Sequence, residues 1–134
     1  MPPLSRWSIK LALVHLVAGW LLGALLMANR AWGWSAGLWR WVELHIALAL
    51  FGWTFLLVVG VAYWMLPTFG GRTNRGREKA AWTSVVATNV GVAAAVMGVL
   101  WGGLWGWVAV LCWTMAVVSF GLHAWPRVKA FGER

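Results

Sequence analysis

LALVHLVAGWLLGALLMA, residues 11–28, carries no charge and no helix-breaking proline, and it is bounded by Lys10 on one side and Asn29-Arg30 on the other. About 20 apolar residues are needed to cross a hydrocarbon core of about 30 Å, so this stretch is long enough to be a membrane-spanning helix. A cleaved signal peptide has a shorter apolar core and a small-residue cleavage site, whereas this run is full length and passes straight into Asn29-Arg30, so it reads as a retained helix.

The same segregation of charge repeats outward along the chain. No charged residue lies between Glu43 and Arg72, and none between Lys79 and Arg127. The first of these blocks accommodates one span and the second, which is longer, two. Predicted helices therefore cover 7–28, 41–66, 80–100 and 104–125, with Pro67 and Pro126 each following an apolar run where a proline ends a helix at little cost. Of the 134 residues 62% are hydrophobic and only 10% charged, against about 25% charged in soluble domains, which excludes an ordinary soluble fold. The predicted fold class is an all-α integral membrane protein, a single four-helix transmembrane domain over 1–134.

Basic residues set the orientation. Arg6 and Lys10 at the amino end, Arg72, Arg75, Arg77 and Lys79 in the middle loop, and Arg127, Lys129 and Arg134 at the carboxyl end fall on one side, against only Arg30 and Arg40 on the other. By the positive-inside rule both termini are cytoplasmic, in a plasma membrane of prokaryotic type. The net charge of +8 is then a topology signal that suits anionic lipid heads, and no nucleic-acid partner is expected. Most of the fourteen tryptophans fall where an aromatic belt would put them. Trp20, Trp53 and Trp113 are nearer mid-depth, where they meet lipid, a neighbouring helix or a flat ligand. The single cysteine, Cys112, is read as a small core residue.

Ionisable side chains inside a bilayer are costly, and here they are three histidines. Glu43 sits at the boundary of its span and no carboxylate lies deeper, which argues against a proton-coupled or cation-exporting mechanism built on a buried carboxylate. His15 is expected in the inner half of the first helix, His45 about one turn inside the outer end of the second, and His123 about one turn from the inner end of the fourth. His15 and His45 are then about 15–20 Å apart along the membrane normal at 1.5 Å per residue, too far to share a metal. His15 and His123 share the inner side, where an intrachain pair is geometrically allowed. The helical face of His45 continues through Ala49, Gly52, Leu56, Gly60 and Tyr63. Its small residues admit either a close helix neighbour or a planar macrocycle beside a histidine.

The segment His45-Ile-Ala-Leu-Ala-Leu-Phe-Gly-Trp, continuing through Val59-Gly60-Val-Ala-Tyr63-Trp-Met-Leu-Pro67 and followed by Gly70-Gly71-Arg72, resembles an element of haem-copper oxidase catalytic subunits. The resemblance covers about 28 residues. In that superfamily a helix begins with a metal-ligating histidine, runs through glycines and ends in an aromatic-rich turn with proline. Its catalytic subunit looks like three four-helix units in pseudo-threefold array, so this chain looks like one unit, and a homotrimer would rebuild the twelve-helix shape. The three-histidine copper centre and the paired haem histidines of the family are missing from one chain. The resemblance therefore implies a b-type haem on His45, serving electron transfer or the binding of a diatomic gas, O2 or NO, with a redox partner, and not complete oxidase turnover. Arg30 or Arg40 would meet the haem propionates, and a methionine or a second subunit would supply any further ligand. A haem or metal between His15 and His123 is the second form of this reading. The alternatives are a haem-free small transporter or assembly factor, and a copper or zinc site made by three His45 side chains on a trimer axis.

Overall fold

The first helix of the computed structural model, which describes residues 1–68 and 75–128, is longer than its apolar run. It covers Pro3–Trp32, against the predicted 7–28. Pro3 stands in the first turn, where its missing N–H costs nothing, and Arg6 and Lys10 extend the helix beyond its apolar centre. Gly33 ends it in the left-handed region at φ 64°, donating its N–H to the Asn29 carbonyl at 2.8 Å. The buried Asn29 amide then closes the loop: its Nδ2 donates to the Ser35 carbonyl at 2.9 Å and its Oδ1 accepts from the Ser35 N–H at 2.8 Å.

The second span, Ala36–Met65, is not the uniform α-helix predicted over 41–66. It starts as a 3-10 turn over Ala36–Trp41 whose first N–H groups are partly satisfied by the Ser35 hydroxyl, which accepts from Gly37 at 3.2 Å. It runs α-helical over Val42–Ala47, widens to a π-helix over Leu48–Phe55, and returns to α-helix over Leu56–Met65. The Thr54 hydroxyl donates to the carbonyl of Ala49 at 2.9 Å, five residues back. Stretches of π-helix are rare and mostly short, and they recur at functional sites. The third helix covers Glu78–Trp101, and the fourth Trp105–Ala124, followed by a 3-10 turn over Trp125–Arg127. Gly102 and Gly103 join them, both at positive φ, 68° and 67°, which an L side chain resists.

These four helices are each long and apolar enough to cross a membrane. The first packs along the second, the second against the third, and the third against the fourth. Small residues permit the close approaches. A Cβ at Gly52 would lie 2.8 Å from Cβ and Cγ of His15, and one at Gly60 would lie 3.0 Å from Cβ of Ser8. One buried cluster joins Leu4, Ala12, Leu56, Val59, Tyr63, Ala81 and Val85 toward the end that holds the termini; a second joins Leu44, Leu48 and Val92 toward the two short loops. The outward faces of the first and fourth helices are apolar and exposed, Trp20, Leu21, Leu111 and Val118 among them, as a lipid-facing surface requires.

Trp113 shows how tightly the last two helices meet. Its ring stacks on Phe51 with centroids 4.2 Å apart and planes 1° from parallel. A Cβ at Gly91 would strike its indole Nε1 and come within 2.6 Å of Cδ1. Gly91→Ala must therefore push the indole off Phe51, and a loss of about 1–3 kcal/mol is expected, the usual cost of overpacking. The midpoint of thermal unfolding in detergent measures it, and an unchanged midpoint would mean that the indole moves freely.

Candidate functional site

Each histidine meets different surroundings, and hydrogen bonding decides which has a nitrogen to offer. His45 lies on the α-helical turn just before the π-helix, facing the first helix. Its Nδ1 is 2.9 Å from the Gly19 carbonyl oxygen. A carbonyl only accepts, so the proton sits on Nδ1 and the lone pair on Nε2. This is the arrangement by which a backbone carbonyl orients a metal-binding histidine. Gly23 makes room for the ring: a Cβ there would lie 2.7 Å from Cε1 and 3.4 Å from Nε2 of His45.

Beside this ring is a pocket of about 520 Å³ walled by Trp20, Gly23, Ala24, Met27 and Trp39. Almost all of its lining is apolar, and Met27 brings a thioether into it. Trp39 also borders a second, more polar pocket of about 490 Å³, lined by Asn29, Arg30, Gly33 and Ser35. An apolar slot with an imidazole and a polar pocket with a guanidinium thus share Trp39 as a wall. Arg40, the other predicted propionate partner, is exposed on the 3-10 turn and lines neither pocket.

His15 is half-buried, with Nδ1 inaccessible and without a hydrogen-bond partner. It lies against Gly52, seven residues along the second span from His45. Their separation along that helix is thus about 10 Å, shorter than the 15–20 Å expected from the sequence. That distance still keeps the two from one centre.

His123 does not meet His15. It stacks on Tyr63 with centroids 5.2 Å apart, eleven residues beyond Gly52, which puts it about 15 Å from His15 along the second span. The pair at one centre that the sequence allowed is not formed, because His15 packs near the middle of the second helix and His123 at its end. Both nitrogens of His123 are also committed. Nδ1 donates to the Arg77 carbonyl at 3.0 Å, and Nε2 accepts from Nη1 of Arg127 at 2.7 Å.

Arg127, counted in the sequence as one of the basic residues at the carboxyl end, is fully buried. Its Nε donates to the Pro67 carbonyl at 2.9 Å, and Nη2 to those of Leu66 at 2.6 Å and Tyr63 at 3.2 Å. These are carbonyls that the end of a helix leaves unpaired, and a planar guanidinium suits several of them at once. The available signal was the four-residue spacing from His123, one helical turn.

Among the described residues no three His, Cys, Asp or Glu side chains gather as a metal site. Gly70, Gly71, Arg72, Lys129 and Arg134, which entered the resemblance or the charge count, lie outside the described residues. No protein-family model, curated protein or solved structure matches the chain, and the resemblance to haem-copper oxidases rests on its own residues alone.

Proposed function

We propose that the chain is a membrane protein that binds b-type haem through Nε2 of His45, spanning the bilayer four times with both termini in the cytoplasm. The observation that carries the haem reading is the hydrogen bond from His45 Nδ1 to the Gly19 carbonyl, which leaves Nε2 as the lone-pair nitrogen beside an apolar pocket. The residues fit such a group. Gly23 and Ala24 leave a small-residue wall for a flat ring, Trp20 and Trp39 are aromatic, and Arg30, in the polar pocket on the other side of Trp39, would meet carboxylate side arms that reach it. Met27 is the one soft donor on the same pocket.

Haem would supply one-electron chemistry or an iron position for a diatomic gas, and the surrounding protein sets which. His45 fixes the ring orientation and raises donor strength through its bond to Gly19, while the apolar walls exclude water. The pocket lies within one chain, between its first two helices, and so does not need a second copy. In the larger assembly that we propose, three chains form a cyclic trimer of twelve helices.

The test is the visible spectrum of the protein purified in detergent, oxidised and then reduced with dithionite, with hemin added where the preparation is pale. A Soret band reaching one haem per chain is the expected result. A colourless protein that stays empty after hemin is added would overturn the proposal in favour of a haem-free bundle.

A further inference from the structure

A groove of about 600 Å³ lies between the second helix, the end of the third and the start of the fourth, and His45 has no part in it. Leu44, Ala47 and Phe51 form one wall and Val110 and Trp113 the other, and the stacked Phe51–Trp113 pair closes its floor. The lining is mainly apolar, yet Glu43 stands at it beside Gly103 and Gly106. Glu43 is exposed and has no ion-pair partner among the described residues, although Arg40 precedes it by one turn. It is also the single acidic side chain among the described residues at the short-loop end.

An apolar slot with an unanswered carboxylate at one end selects a molecule of matching polarity, a chain with a cationic head. Depth and access narrow the source. Glu43 lies at the level of Trp41, Trp105 and Trp107, the tryptophans that mark an interface. The groove opens sideways onto exposed apolar residues, Ile46 and Val110 among them. From Glu43 to Phe51 it runs about 10 Å along the second helix, room for part of an acyl chain. Trp107, also on the groove and exposed, offers a ring face to an ammonium.

We propose that this groove binds an amine-headed phospholipid of the phosphatidylethanolamine type, with its ammonium on Glu43 and an acyl chain against Ala47, Phe51 and Trp113. The inference rests on the membrane-spanning part of the proposed function and is independent of haem.

The experiment is native mass spectrometry of the full chain, extracted from carbonate-washed membranes into maltoside detergent and mixed with equal amounts of phosphatidylethanolamine and phosphatidylglycerol of identical acyl chains. Recovery from washed membranes checks the membrane reading separately, so failure of that reading is seen before any lipid is added. Wild-type protein is expected to retain the ethanolamine lipid by about tenfold over the glycerol lipid, the ratio that corresponds to one modest charge contact. Glu43→Gln, a change at an exposed site, should bring the two to parity. Ala47→Trp, which fills the slot, should lower retention of both. Equal retention by the wild type, or a preference that survives in Glu43→Gln, would overturn the proposal.

Discussion

His45→Ala is expected to strip the purified protein of its Soret band while leaving it inserted and helical. The iron would lose its single protein ligand within reach of the pocket other than Met27, whose thioether is the weaker donor. Altering a group that merely orients a metal ligand costs about 10–100-fold in metal affinity, so removing the ligand itself falls beyond that range. The structural cost is smaller. Alanine gives up one hydrogen bond to the Gly19 carbonyl and leaves a gap against Gly23, together about 1–3 kcal/mol. A helical, detergent-stable protein without haem is therefore the expected phenotype, and hemin titration followed by absorbance reads it. Added imidazole should restore part of the band by occupying the vacated space. His15→Ala, at a nitrogen with no partner and no place on that pocket, should keep its haem. Full retention of haem in His45→Ala, or its loss in His15→Ala alone, would move the ligand elsewhere.

The four helices were legible because charge and apolarity act over whole segments. Lys10 to Arg30, Glu43 to Arg72 and Lys79 to Arg127 enclose long apolar blocks without a charged residue. Ends were less legible, since Arg6, Lys10 and Arg30 extend a helix as readily as they border it, and the first helix accordingly runs from Pro3 to Trp32. The π-helical stretch LALFGWTF has no marker in its own residues. It coincides with two contacts made by other helices, Trp113 stacked on Phe51 and His15 pressed to Gly52. Such tertiary contacts are absent from a local reading. The same limit applies to the site. His45 stood out as an ionisable residue on a small-residue face, but its partner is the backbone oxygen of Gly19, which every residue possesses. His123 entered only the second form of the reading, with His15, and the guanidinium that occupies its Nε2 comes from a residue one turn on. Spacing suggests which side chains share a face, and only the fold shows which nitrogen remains available.

Arg127→Ala should be the most destabilising of these substitutions, although the residue lies at the end of the described chain. The guanidinium binds the carbonyls of Tyr63, Leu66 and Pro67 together with Nε2 of His123. It thus ties the fourth helix to the end of the second, and its charge lies 5.7 Å over the Tyr63 ring. Hydrogen bonds to a charged donor contribute about 1.5–3 kcal/mol each and are not additive in a shared network. Water entering from the nearby helix ends would satisfy some of the vacated acceptors. A net loss of about 3–5 kcal/mol is expected, and a thermal midpoint lowered by about 10–20 °C on the scale of a domain this size. His123→Ala removes one of the four partners and should cost less. Arg127→Lys keeps the charge but loses the planar fork, so one ammonium has to serve acceptors that three guanidinium nitrogens share, and it should recover less than half of the loss. If instead Arg127 served only as a topological charge, lysine would match arginine and alanine would leave the midpoint unchanged, altering orientation in the membrane alone. Thermal midpoints of the three variants, read beside protease accessibility of the carboxyl terminus, separate the two roles. A lysine variant as stable as the wild type would show that charge, and not the bridging of Tyr63, Leu66, Pro67 and His123, is what this position supplies.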